Sequence, residues 1–200
     1  MNLEIILDEN PIVQFKTWFG LALDDVRIPH PEVMCLSTID LEGYPDSRIV
    51  LLRGIDDRGF VFFTNSESVK GRSLARVPRA AMTMHWEPLG YQVRVQGDVV
   101  RVSDAESDVY FASRPRMSQI GAWASRQSEV LASREELEES VKRYEKDFEG
   151  RDVLRPSYWF GQRIVPKKME FWTDRPYRLH DRFLYEKRPD GTWSLVRLNP

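Results

Sequence analysis

The amino-acid sequence predicts a mainly β fold with flanking helices, of α+β class, built on an antiparallel sheet or small barrel. Short segments rich in β-branched and aromatic residues follow one another with Gly- and Pro-containing turns between them. They lie too close together for the long crossovers that parallel strands need. In one of them Tyr91, Val93 and Val95 alternate with Gln92, Arg94 and Gln96, the period-two pattern of a sheet with one buried and one polar face. At 200 residues, 42% hydrophobic, with six Trp, seven Tyr and ten Phe, the chain has the size and apolar content expected of one domain spanning residues 1–200.

Asn10 and Pro11 read as an N-cap and first helical residue, after which Ile12, Phe15, Phe19 and Leu23 recur at helical spacing. The Ile28-Pro-His-Pro31 stretch ends that helix, because each proline pushes the preceding residue out of the helical region. Strands are predicted over Val33–Ile39, Arg48–Leu52, Phe60–Thr64, Ala80–Trp86 and Tyr91–Val102, with a bulge at Gly97. A short helix is expected to start around Lys70 and Arg72. Ser103 with Glu106 and Ser133 with Glu136 have capping-box spacing, ahead of a helix through about Ala112 and of one carrying Leu137, Val141, Tyr144 and Phe148. The charged face of the latter is read as solvation. Strands at Met169–Trp172, Arg182–Lys187 and Trp193–Leu198 close the chain, the last two joined by a Pro189-Asp190-Gly191 turn.

Composition excludes several classes. With 29 basic and 31 acidic residues and a net charge of −2, the chain lacks the general basic excess of a nucleic-acid binder. No apolar run approaches the length of a membrane helix, and Glu4, Asp8 and Glu9 do not suit a signal peptide. A cytoplasmic protein is expected. The single Cys35 fits a reducing compartment and reads as a small core residue. No Gly-rich dinucleotide motif, P-loop, nucleophile elbow or metal-ligand spacing is present.

What the sequence offers instead is local basic clusters. Arg48 and Arg53 bracket an apolar strand, Lys70 and Arg72 sit near a helix start, and Arg114 and Arg116 flank Pro115. Such groups suit phosphate, and surface solvation is the alternative. Tyr110 and Arg114, at i and i+4 on a helix ending near Pro115, can face one anion with Ser118 nearby, or pack and cap the helix. Arg178, His180 and Arg182 alternate so that, on a strand, all three point to one side, and a solvated edge strand is the alternative.

Together these segments resemble the FMN-dependent pyridoxine/pyridoxamine 5'-phosphate oxidase family. The matching stretches are Arg48–Arg53, Phe62–Asn65, Tyr110–Ala122, Ser125–Ser128, Met169–Trp172 and Arg178–Asp181 with Arg182. The resemblance implies a split β-barrel homodimer with two FMN sites at its interface. It also implies oxidation of a small phosphorylated pyridine to pyridoxal 5'-phosphate, with molecular oxygen as acceptor and hydrogen peroxide as product. By the family pattern Arg48, Lys70, Gln92, Gln127, Ser128, Trp172 and Arg182 would hold FMN, with backbone near Ile49, Phe63 and Thr64. Tyr110, Arg114 and Ser118 would hold the substrate phosphate with Arg53 nearby, while Arg178 and His180 would position the pyridine ring as the catalytic pair.

Four departures from the pattern stand out. Arg53 replaces a usual Lys, Val69 replaces an Arg that helps grip the FMN phosphate, and Phe160 replaces one glycine of a Trp-Gly-Gly. The family's basic segment before the first helix is expected to be missing. They motivate a second reading, an FMN oxidase of the same fold acting on another reduced ring such as a dihydrophenazine. A third is a non-catalytic flavin- or pyridoxal-phosphate-binding protein.

Overall fold

The computed structural model describes residues 7–200. Helix α1, Pro11–Asp24, starts where Asn10 accepts a hydrogen bond from the Ile12 amide, and it buries Ile12, Phe15, Trp18 and Ala22. Leu23, expected on that stripe, is exposed, and Trp18 and Ala22 supply the contact. The strands are β1 (Val33–Ile39), β2 (Pro45–Leu51), β3 (Gly54–Asp56), β4 (Gly59–Asn65), β5 (Arg79–Trp86), β6 (Tyr91–Arg101), β7 (Trp159–Thr173), β8 (Asp181–Lys187) and β9 (Trp193–Leu198). The remaining helices are α2 (Val69–Arg76), α3 (Asp104–Ala112), α4 (Arg116–Ala124) and α5 (Arg134–Asp147). None of the helices among the described residues is long and apolar enough to cross a membrane.

All nine strands among the described residues join one antiparallel sheet in the order β2-β1-β5-β6-β7-β4-β3, with β8 on β7 and β9 on β8. The sheet divides along β7, whose Trp159–Ile164 half pairs with β4 and whose Lys168–Thr173 half pairs with β8. At the branch Pro166 has no amide to donate, and the register against β6 slips between Gln96 and Gly97. A Cβ on Gly97 would sit 2.1 Å from the Val165 carbonyl oxygen, so the strands approach this closely only because the residue is glycine. The expected bulge is therefore present, and the predicted Met169–Trp172 strand is the end of a 15-residue one.

Two apolar clusters form. The larger fills the sheet face under α1, with Phe15 edge-on to Phe60 at 4.8 Å and Trp18 stacked on Tyr91 at 4.2 Å. The smaller, Phe111, Ile120, Val153 and Trp159, joins α3 and α4 to the start of β7, with residues of α5 packed against it. No residue of α5 is buried, so its charged face is solvated as the sequence suggests. Cys35 alternates out of the core: Met34 and Leu36 point inward, and Cys35 lies beside Ile49 and Thr83 on the half-exposed opposite face. The core-residue expectation for this cysteine is corrected.

Candidate functional site

A cavity of about 530 Å³ opens between β2, β4, α2, α3, α4 and the start of β7, a volume within the usual range for small-ligand sites. Nine of the expected site residues line it: Ile49, Arg53, Phe63, Thr64, Lys70, Tyr110, Arg114, Ser118 and Gln127. Its wall carries three cations, Arg53, Lys70 and Arg114, and no carboxylate. In a chain of net charge −2 this is a local excess of positive potential aimed at an anion.

Of the three, only Lys70 lies within an element; Arg53 and Arg114 stand in the β2–β3 and α3–α4 connections. Lys70 is buried in the first turn of α2, where Ser68 caps the helix, and its Nζ donates to Ser68 Oγ at 3.3 Å and Gln127 Oε1 at 3.2 Å. Burial, together with the charge of Arg48, pushes its pKa down to about 8. Arg48 is held by Thr38 Oγ1 at 2.8 Å and by Asp46. Tyr110 lies in the last turn of α3, parallel to Phe63 at 4.0 Å.

Arg114 does not share a helix with Tyr110, as the spacing suggested, because α3 ends at Ala112 and α4 starts at Arg116. The break still delivers both side chains to one cavity. Arg114 is half-buried, and its Nη1 is fully buried with no hydrogen-bond partner. Burial holds its pKa below the ordinary guanidinium value, and the charge of Arg53 adds to the shift. A buried donor left unpaired costs free energy that an anion would recover, so the residues present fit phosphate dianions.

Two cations expected near phosphate point elsewhere. Arg72 donates to the Glu67 carbonyl, and Arg116 donates to the Phe148 and Arg151 carbonyls at 2.6 and 3.0 Å. Phe160 and Val69 are absent from the cavity wall. Phe160 stacks instead under Arg101, 4.0 Å from guanidinium carbon to ring centre.

A second group lies on the sheet face opposite the larger core. Gln92, Trp172 and Arg182 form one cross-strand row on β6, β7 and β8. Arg182 Nε donates to Glu170 Oε1 at 2.8 Å, and Glu170 also accepts from Arg94 at 3.1 Å. His180 stands 4.5 Å from Trp172, ring to ring, and its Nδ1 lies 3.1 Å from Asp174 Oδ1 and accepts from the Arg175 amide at 3.2 Å.

The one-strand reading of Arg178, His180 and Arg182 is overturned. β8 begins at Asp181, and Arg178 ends a 3-10 turn over Pro176–Arg178. Tyr177 and Arg178 both have positive φ, at 61° and 62°. Among the described residues only Ser128 joins them as a non-glycine at positive φ, and such strain concentrates at functional sites. None of Gln92, Trp172, Arg178, His180 and Arg182 belongs to the cavity wall, so one chain presents two separate groups. Arg48 and Ser128 also lie off the wall but beside it, Arg48 near enough to Lys70 to act on its charge and Ser128 next in sequence to Gln127.

The sequence reading missed Trp159, Asn65 and Ser125, which line the cavity. It also missed Gln119, whose buried Nε2 lies within 3.0–3.1 Å of the carbonyls of Phe111, Ala112 and Arg114. Gln119 thereby serves the orphan acceptors at the end of α3 and pins the Arg114 backbone.

Comparison with known proteins gives a consistent answer. A family model described as pyridoxamine 5'-phosphate oxidase matches residues 23–146. A second, described as the pyridoxine 5'-phosphate oxidase C-terminal dimerisation region, matches residues 159–200. A pyridoxine/pyridoxamine 5'-phosphate oxidase of Cupriavidus taiwanensis is 52% identical over 191 residues, covering 96% of this chain and 89% of that one. The crystal structure of PhzG from Burkholderia lata 383, in complex with tetrahydrophenazine-1-carboxylic acid, superposes with a TM-score of 0.90 at 30% identity, covering 100% of both chains. A pyridoxamine 5'-phosphate oxidase-related, FMN-binding protein of Nostoc punctiforme, 16% identical with a TM-score of 0.74 over 93% of this chain and 97% of that one, shares the fold. The architecture is the split barrel of these proteins, a mostly antiparallel sheet curled into a half-barrel with flanking helices. The chain belongs to the pyridoxine/pyridoxamine 5'-phosphate oxidase family, whose members are oxidoreductases with FMN as cofactor.

Proposed function

We propose that this protein oxidises pyridoxamine 5'-phosphate and pyridoxine 5'-phosphate to pyridoxal 5'-phosphate in the cytoplasm, with molecular oxygen as electron acceptor. The alcohol and oxygen yield the aldehyde and hydrogen peroxide; the amine also takes up water and releases ammonia. The observation that carries this reading is the unpaired, buried Nη1 of Arg114 on a cavity wall with three cations and no carboxylate. Arg114, with Arg53, Tyr110 and Ser118, binds the substrate phosphate. Lys70, Gln127, Ser128 and Arg48 hold FMN from the cavity side, with the backbone of Ile49, Phe63 and Thr64. Gln92, Trp172 and Arg182 hold it from the row, where Arg178 and His180 orient the pyridine ring. Bound FMN supplies the electron-accepting ring, and the chain supplies orientation and positive charge.

The cavity and the row are separate in one copy, and residues 159–200 match a dimerisation region. Both observations support a homodimer in which the row of one copy meets the cavity of the other, residues 1–200 acting as one domain. The test is to load the purified protein with FMN and measure peroxide with each B6 phosphate. Turnover with either is expected, and an FMN-loaded protein that leaves both untouched refutes the reading. The likeness to PhzG over 100% of both chains favours a second reading, oxidation of a reduced tricyclic ring. Turnover of a dihydrophenazine carboxylate without turnover of B6 phosphates would establish it.

A further inference from the structure

Arg114 poses a problem of support. A half-buried guanidinium usually leans on a carboxylate, and none stands on this cavity wall. The group lies instead over the indole of Trp159, with its central carbon 4.7 Å from the ring centre, and at 5.5 Å from Phe111. Trp159 is itself fixed. Its ring is parallel to Phe63 at 5.2 Å and to Tyr110 at 6.1 Å, and meets Phe111 edge-on at 5.1 Å. Its carbonyl accepts from Arg155 at 2.8 Å, and Arg155 is tied to Asp104 and Asp108 of α3 at 2.9 and 2.6 Å. The indole is thus locked to the helix that carries Tyr110.

The two kinds of support differ chemically. A carboxylate would occupy the guanidinium's N–H fork and cancel its charge. An aromatic face attracts the flat side of the cation and leaves every N–H edge free and the charge uncompensated. We propose that Trp159 is the positioning residue of the phosphate pocket, its indole carrying the Arg114 guanidinium in place of a carboxylate and thereby setting the preference for phosphorylated over unphosphorylated substrates. This inference rests on the reading of Arg114 as the substrate-phosphate residue.

The test compares FMN-loaded wild type, Trp159→Phe and Trp159→Leu by steady-state kinetics with pyridoxamine 5'-phosphate and by calorimetric titration with inorganic phosphate, the FMN site being filled. For Trp159→Leu, KM and the phosphate Kd are each expected to rise about tenfold, equivalent to about 1.4 kcal/mol, with kcat within about twofold. Trp159→Phe, which keeps a π face, stays within about threefold of wild type. Labelling with 5-fluorotryptophan, which weakens the ring quadrupole at nearly constant shape, raises the phosphate Kd in the wild type and not in Trp159→Phe. The proposal is overturned by an unchanged phosphate Kd in Trp159→Leu, by equal impairment of the Phe and Leu variants, or by a fluorine effect that persists without Trp159. Should Trp159→Leu fail to fold, the Phe variant and the fluorine series decide. A wild type that binds phosphate but oxidises neither B6 phosphate refutes the proposed function, and the titration still judges Trp159.

Discussion

Two chambers lie on either side of Arg53, Phe63 and Tyr110, and each holds an arginine withdrawn from solvent, Arg163 buried and Arg114 half-buried. In the smaller, about 260 Å³, Arg163 is 4% exposed and clasped by Asp56 and by Glu106 at 3.2 Å. Arg58 bonds both carboxylates as well, at 2.7 and 3.1 Å. In the larger, Arg114 has a π face and an unpaired Nη1. The first arginine is satisfied by the fold and ties β3, α3 and β7 together. The second has no protein partner at Nη1, which is what the proposed phosphate-binding role requires. Burial alone therefore does not separate a structural cation from a binding one; the partners do.

The largest effect that would break this contrast is expected at Arg114. Arg114→Ala should raise KM for pyridoxamine 5'-phosphate about 100-fold, the loss of one or two charge-assisted hydrogen bonds, with the FMN Kd unchanged and Tm not lowered. Equal loss of both ligands would merge the two phosphate sites. Arg163→Met should act the opposite way. It removes one of the two guanidinium partners of Asp56 and Glu106 and leaves Arg58 on both, and each carboxylate is about 40% exposed, so the cost is limited to about 1–2 kcal/mol. A Tm several degrees lower with KM within about threefold would support the structural role, and a KM rise above tenfold would contradict it.

The chambers also differ in their pH windows. Burial opposes ionisation of Asp56, but hydrogen bonds from Arg58 and Arg163 outweigh it and lower its pKa from 3.8 to about 2. Its stabilising share is present above pH 3.8 and disappears as pH falls through 2. Lys70 works at the alkaline end. Between pH 8 and 10.5 the unfolded chain retains a proton that the folded chain has lost, so the FMN-free protein gains stability as pH rises through that window. If Lys70 holds the FMN phosphate as proposed, FMN affinity is expected to fall over the same range, because a neutral amine no longer attracts the phosphate. Fluorescence titration of FMN across pH 7–10 reads this directly, and a flat profile would remove Lys70 from the phosphate contact. The smallest effect is expected at Gln119, where Gln119→Met should cost about 1 kcal/mol of stability and a few-fold in KM by loosening the Arg114 backbone, as melting and steady-state assays would show.

Much of this was legible in the chain. Alternation on Tyr91–Gln96, the Asn10-Pro11 start and both serine caps each rest on neighbours in sequence, and each element formed where expected. The failures are long-range or conformational. α4 has no capping side chain and contains Gly121, which mutes its helical signal, although Ile120 and Ala124 are buried one turn apart. Left-handed backbone at Tyr177 and Arg178 leaves no trace in residues that are not glycine, so an apparent strand alternation proved false. Trp159 is distant in sequence from Arg114, and Gln119 acts on backbone carbonyls; neither relation has a local pattern to read.

The branch in β7 bears on how the chain is made. β4 pairs with a segment about a hundred residues downstream, Phe60 opposite Ile164, and β3 reaches the sheet only through β4. At about 5–20 residues per second of synthesis, Phe60 and Phe62 wait roughly 5–20 seconds for the strand that seals their edge. Closure of such non-local pairs is slow for entropic reasons. The nascent chain is therefore most open to aggregation before β7 emerges, and truncation just ahead of Trp159 should yield an insoluble product although β1, β2, β5 and β6 are all present.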